Sequence, residues 1–410
     1  MQVDSSYQFK IISSVEQAKH LFEQVKPAQP FLQFEFWRAL EQQQVIGVGT
    51  GWLISHIVIQ QAGQAVAWMP LFIKSHHRGE YVFDHAWAEA YARHGLDYYP
   101  RLVSSVPFTP VTGERILLAA THELAQVWPV IFSAVQQVVE QYQASSWHAL
   151  FIDQHLLKFF QTHSQSIAQQ MPPLAQLAIR QHCQFLWTNH NYRDFEDFLA
   201  ALTAKKRKSI KVERQKLVEQ HVTSQFLEGS EICLEDIEFF YECYANTYYV
   251  RGQKPYLTQA FFWQLVQQMP QHLMLINAYH QDKPVAAALF FKDKHTLYGR
   301  YWGAVEHINC LHFEVCYYQG IEYAIKHQLA FFDPGTQGEH KLIRGFAPVY
   351  TFSAHWLAHP DFMQAVQNFC QQEKAHTQAY YAAALASTPF KQNDPGNKPI
   401  VSGNTVCAHS

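Results

Sequence analysis

Apolar and polar positions in this chain follow one pattern twice. After His56 the apolar run Ile57-Val58-Ile59 meets a polar turn, Ala62-Gly63-Gln64. After Leu273 the run Met274-Leu275-Ile276 meets Gln281-Asp282-Lys283. Each turn leads through a Val-Ala pair (Val66-Ala67; Val285-Ala286) into an apolar run that ends in lysine. These runs are Leu71-Phe72-Ile73-Lys74 and Leu289-Phe290-Phe291-Lys292, and each is followed by a third strand closed by a tryptophan, Trp87 or Trp302. Short polar turns between apolar runs predict antiparallel meanders. Two distant copies predict two domains of one fold.

Helical spacing puts Val15, Ala18, Leu21 and Phe22 on one face. The same periodicity predicts helices over 34–43, 121–143, 156–165, 195–220, 234–250, 258–269, 312–327 and 361–385. Further strands are expected at 149–153, 183–187, 222–226, 330–333 and 351–357. The whole reads as an α+β fold of two tandem domains, each a mixed, mainly antiparallel sheet flanked by helices. The first is expected over 1–179, with Met171-Pro172-Pro173 marking a turn near its end. The second is expected over 180–387. From Thr388 onward Pro, Gly, Asn and Ser dominate, which predicts a disordered tail over 388–410.

Composition narrows the function classes. The chain is 48% hydrophobic, 15% aromatic and only 16% charged, with a net charge of -3. Such a chain packs into globular domains and is no polyelectrolyte, so an anionic ligand must meet a local patch. The 7 Cys are scattered singly without Cys-x-x-Cys, which argues for a reducing compartment and against a zinc ribbon. None of the 24 His forms His-Glu-x-x-His, and no metal site is expected. The start, MQVDSSYQFK, lacks an apolar signal core. The most apolar stretch, near 127–139, is too short and too interrupted to span a bilayer. A cytoplasmic protein is expected.

Three places concentrate chemistry. In the 195–220 helix, Arg207, Lys211 and Arg214 are spaced i, i+4, i+7 and share a face, as a row of cations along a phosphodiester or pyrophosphate would. The segment 333–346 gathers Asp333, Glu339, His340, Lys341 and Arg344 among three glycines just beyond a strand. Glycines let backbone approach a ligand, histidine takes a proton near neutral pH, and the cations hold phosphate or polarise a carbonyl. In the strand Leu297-Tyr298-Gly299-Arg300-Tyr301-Trp302, Arg300 needs a carboxylate or a cleft, and Glu314 on the next helix is its expected partner. The turn-rich run 106–113 offers hydroxyls, Thr109 among them, to line a pocket.

Together these residues resemble the Fem-type branch of the GNAT acyltransferase superfamily. They are more closely similar to the bacterial predicted N-acyltransferases, or peptidoglycan biosynthesis/recognition proteins. The resemblance rests on the tandem meanders, the basic helix early in the second domain and the 106–113 run. It rests also on Tyr298 to Gly303, His312-Phe313-Glu314, Phe332-Asp333-Pro334-Gly335 and Gln337-Gly338-Glu339-His340-Lys341. It covers roughly residues 15 to 390. It implies two GNAT-like domains and transfer of an acyl or aminoacyl group to an amine, with a cell-wall precursor or peptide as one kind of acceptor. On the reading of an N-acyltransferase, His340 or Glu339 would be the base, directly or through water. Lys341 or Arg344 would steady the oxyanion or hold phosphate, and Arg300, Tyr298, Glu314, Asp333 and Thr109 would sit about the substrates. No tightly bound cofactor is implied, and the donor co-substrate is acyl-CoA or aminoacyl-tRNA. The usual pyrophosphate loop is absent before His312, where Ile308-Asn309-Cys310-Leu311 stands. The coiled-coil arm of some Fem enzymes is missing or short. The alternative is a non-catalytic module that binds a peptidoglycan precursor in the same pocket.

Overall fold

A computed structural model describes residues 6–168, 177–336, 338–391 and 394–398. The turn expected at 171–173 and the stretch 399–410 lie outside the described residues. In chain order the first strands are β1 (Tyr7–Ile12), β2 (Trp52–Ile54), β3 (His56–Gln61), β4 (Gln64–Met69) and β5 (Phe72–Lys74). Next come β6 (Arg101–Ser104), β7 (Leu117–Leu118), β8 (Ser146–Ile152), β9 (Ala178–Thr188) and β10 (Val222–Glu228). The last are β11 (Leu273–His280), β12 (Lys283–Lys292), β13 (Thr296–Ala304), β14 (Phe331–Asp333) and β15 (Ala347–Leu357). The helices are α1 (Lys19–Val25), α2 (Phe34–Gln42), α3 (His85–Arg93), α4 (Leu124–Tyr142), α5 (Gln154–Ala168) and α6 (Phe195–Ala201). After them follow α7 (Ala204–Glu219), α8 (Leu234–Tyr249), α9 (Gln259–Gln268), α10 (Leu311–Phe313), α11 (Gln319–Lys326) and α12 (Pro360–Ala386).

The chain forms two compact units. Among the described residues, one comprises those up to 182 with 351–377, and the other 183–350 with those from 378 to 398. This corrects the expected sequential boundary at 179/180. The reason lies in the strand pairing. In the first unit β1, β3 and β4 pair in one sheet, and a second sheet takes up β5, the continuation of β4, and runs β5, β6, β8, β15. In the second unit the ladder runs β10, β11, β12, β13, β14, β9. In both, three antiparallel pairings are followed by a parallel one and then an antiparallel one. The sixth strand of the first unit is thus β15, drawn from late in the chain.

The repeat is therefore real, but its third strand in the first copy is β6. Residues 85–93 form α3, with Trp87 buried on it. The alternation of Tyr81, Phe83 and Trp87 imitates a strand, yet His85-Ala86-Trp87-Ala88-Glu89-Ala90 carries three alanines, the strongest helix former. A second difference is local. In the second copy β12 is one strand of ten residues, whereas Pro70 separates β4 from β5 in the first. Proline has no N–H to give the ladder, so the strand breaks there.

The 195–220 helix is also broken. Leu202 and Thr203 are extended between α6 and α7, and Leu202 bridges to Phe390. Phe390 is 5% exposed and joins the second unit's core, and the Thr203 amide donates to the Pro389 carbonyl. The expected disordered tail therefore begins with an anchored segment, because one aromatic ring finds a core to fill. α8 lies close against β13. A Cβ on Gly303 would come within 1.8 Å of the Cys243 carbonyl oxygen, so only glycine admits that contact.

Candidate active site

In the second unit the parallel pair β13–β14 stays in register only from Thr296 opposite Phe331 to Tyr298 opposite Asp333. β13 then runs on to Ala304, while β14 ends at Asp333 and Pro334-Gly335 leaves the sheet. A cleft opens beyond the carboxyl ends of the two strands, where open α/β sheets take their ligands. A cavity of about 370 Å³ occupies it. Its floor is Ala288, Leu289 and Phe290 of β12, and Trp302 and Tyr301 stand on β13.

A bulge shapes the β13 wall. Leu289 opposes Tyr301 but Phe290 opposes Gly299, which leaves Arg300 as the extra residue. Its side chain is 1% exposed, and Nη2 donates to Asp333 Oδ2 at 2.7 Å. Nη1 donates to Asp333 Oδ1 and to the Asp333 carbonyl, both at 3.2 Å. The expected partner Glu314 is instead held by Arg214 at 2.9 Å and by Gln319 at 2.6 Å. Strand adjacency decides this, since Asp333 lies level with Tyr298 on the neighbouring strand.

The segment after β14 turns back as a 3₁₀ helix over Glu339–Arg344 and aims Lys341 into the cavity wall. Lys341 is 2% exposed. Its Nζ donates to the Gly335 carbonyl at 2.8 Å and the Thr336 carbonyl at 2.9 Å. Burial pulls its ammonium down to about 8, against the attraction of Asp333 and with the help of Arg300. His340 stands exposed at the rim, with Nε2 2.8 Å from the Tyr317 hydroxyl. Partial burial and the cations Lys341 and Arg344 hold its imidazole below the ordinary value, so it is neutral at pH 7. Gly338 has φ +98, and a Cβ there would meet the His340 ring at 2.4 Å. Glycine at 338 is what lets the ring sit over the rim.

The opposite wall comes from a π-helical turn, Glu314–Tyr318, between α10 and α11. It presents Cys316 and Tyr317 to the cavity, and His312 precedes it. π turns often mark functional sites, because they displace side chains from helical register. His312 is neutral, its imidazole pushed down to about 4 by burial and then by His340, Lys341 and Arg344. Tyr317, Cys316 and Thr336 escaped the sequence reading. The i, i+4 spacing of His312 and Cys316 was the available signal, but a π turn leaves no periodic trace.

Other expected site residues have structural work. Arg344 is 3% exposed and spends its donors on Tyr318, the His340 carbonyl and Glu213, with its guanidinium 3.4 Å from the Phe313 ring centroid. It is a brace and not a phosphate holder. Glu339 points outward and accepts from Tyr380. Tyr298 is buried outside the cavity lining, donating to Asp293 at 2.7 Å. Arg214 is clamped between Glu314 and Glu322, which removes it from the expected row of cations. Lys211 pairs with exposed Glu196, and with Arg207 and Lys208 it lines an open groove of about 430 Å³ on α7.

Thr109 belongs to the first unit and is 2% exposed. There the run 106–113 fills the place equivalent to the cleft. Gly113 bridges in parallel to Ile152 at the end of β8, and its amide donates to Phe151. Buried Arg115 ties the run to the Leu150 and Val111 carbonyls. The first unit's parallel pair is thus sealed by its own chain, and the second unit's is open. Among the described residues no cluster of His, Cys, Asp and Glu is arranged to hold a metal ion, and no helix is long and apolar enough to cross a membrane.

The FemAB-like family, described as peptidoglycan biosynthesis/recognition, matches residues 12–392. The chain belongs to that family. Among curated proteins none matches it by sequence. Among solved structures this FemAB-like chain is similar to FemX, with a TM-score of 0.50 and 9% identity over 88% of this chain and 100% of that one. A tandem GNAT protein from the clavulanic acid biosynthesis pathway gives 0.44 and 10% over 86% and 99%. L-PGS from Bacillus licheniformis gives 0.46 and 9% over 87% and 96%. The fold is that of FemX, with mixed sheets flanked by helices.

Proposed function

We propose that this FemAB-like protein is an N-acyltransferase that moves an acyl or aminoacyl group onto an amine, with the second unit's cleft as its reaction site. The observation that carries this reading is Lys341. A buried ammonium, fixed by two carbonyls at the end of a splayed parallel strand pair, suits a carbonyl oxygen that becomes negative during the reaction. The acceptor amine attacks the donor carbonyl carbon and forms the C–N bond. Neutral His340 accepts the amine's proton, directly or through water. The tetrahedral oxyanion is neutralised by Lys341. Its collapse breaks the bond to the donor carrier, which leaves with the proton from His340. Arg300 and Asp333 hold the cleft's strand ends together.

The donor is acyl-CoA or aminoacyl-tRNA, and the acceptor is the amine of a cell-wall precursor or peptide. Family membership supports that acceptor class, and the basic groove on α7 supports a phosphate-bearing donor. The test supplies the protein with acyl-CoAs or aminoacyl-tRNAs, each paired with UDP-linked muropeptides, and follows amide formation by mass spectrometry. A product that disappears in Lys341→Met is expected. Thermal stabilisation by precursor alone, with no product from any donor, would replace this reading with a binding module.

A further inference from the structure

The walls of the cleft bear on which acyl group enters it. This inference rests on the acyltransferase reading. Ala288, Leu289, Phe290, Tyr301, Trp302 and Tyr317 give the cavity apolar and aromatic surface, and its polar side chains are cations, histidines and Thr336. Among the described residues no carboxylate lines the cavity. Asp333, at the strand end, has both oxygens engaged by Arg300. The buried cation in the wall, Lys341, has its Nζ bonded to two neutral carbonyls. The two histidines in the wall carry no negative charge in any state.

An α-ammonium brought into this space would leave water, face another cation and find no counter-ion. Each of these disfavours the charged form. The aromatic rings of the wall pack against its two histidines. Trp302 packs on His312 with ring centroids 5.2 Å apart, and Tyr317 packs on His312 and His340 at 5.2 and 5.6 Å. An uncharged chain or ring has the reverse balance, because it gains apolar contact and requires no partner.

We propose that the acyl group held in this cavity is uncharged and apolar or aromatic, and that it bears no free α-ammonium. The donor's acyl portion is then of the fatty or aryl class and not aminoacyl.

Two product-like probes isolate the claim. N-hexanoylglycinamide and norleucylglycinamide share one carbon skeleton and differ only by the α-amino group. Isothermal titration of the full chain at pH 7 is expected to show the hexanoyl compound binding at least about tenfold more tightly. Thr336→Trp, placed on the loop at the cavity edge, should weaken that binding about tenfold or more at an unchanged melting temperature. Trp302→Ala should also weaken it. Equal or tighter binding of norleucylglycinamide overturns the proposal. So does an absence of binding by both at millimolar concentration, or hexanoyl binding that neither variant touches. Acyl transfer itself stands or falls separately, on the amide-formation assay.

Discussion

Replacing Lys341 with methionine should change how stability depends on pH. The lysine's ordinary value is 10.5 and burial brings it to about 8 in the folded protein. Below pH 8 both folded and unfolded chains carry the proton, and the folded chain bears the full cost of a poorly solvated ammonium. That cost is about 3 kcal/mol, from 1.36 kcal/mol for each pH unit between the two values. Between 8 and 10.5 the unfolded chain binds more protons than the folded one, so wild-type stability rises with pH across this window. By pH 10 about 2–3 kcal/mol of the cost is relieved. In Lys341→Met no such group titrates. Urea unfolding of both proteins at pH 7 and pH 10 gives a double difference from which the titrating groups remote from Lys341 cancel. It should be about 2–3 kcal/mol in favour of the wild type at the higher pH. Parallel pH profiles would show that Lys341 is as well solvated when folded as when unfolded, and the oxyanion role would lose its basis.

Asp333→Asn removes the counter-ion of a guanidinium that is 1% exposed. Breaking a buried pair costs about 3–5 kcal/mol, and Asp333 is itself 17% exposed, so about 3 kcal/mol is expected. Calorimetry should show the second unit melting about 6–12 °C lower. Arg214→Glu sets a third carboxylate against Glu314 and Glu322 and should cost about 2–3 kcal/mol. Arg207→Glu with Lys211→Glu should stay within about 0.5 kcal/mol, and urea midpoints of the two variants test the contrast. His340→Ala should reduce turnover about 100- to 10,000-fold. Because the imidazole is held below its ordinary value and acts as a base, the wild-type acid limb should lie below pH 6.5; a limb above 6.5 would remove His340 from that role.

The chain's own patterns determined a good deal. Apolar runs divided by short polar turns placed β11, β12 and β13, and period-3.6 runs placed α2, α4, α8 and α9, because these elements bury one face or both and write that burial into the residue order. The doubling of the fold was legible for the same reason. So was the gathering of His340 and Lys341 beyond a strand end, since both sit on one short segment. Tertiary structure decided what depends on meeting a distant residue. Which carboxylate Arg300 finds is a matter of strand order, and Asp333 is beside it only because β14 returns parallel to β13. Arg214 and Arg344 read as free cations until α7 packs near Glu314 and Glu213 near Arg344. The sealed cleft in the first unit and the open one in the second differ in the course of a connection, which no periodicity records. The exchange of β15 into the first unit's ladder likewise has no local signature, because a strand's pattern specifies that it has buried faces but not which neighbour covers its edge.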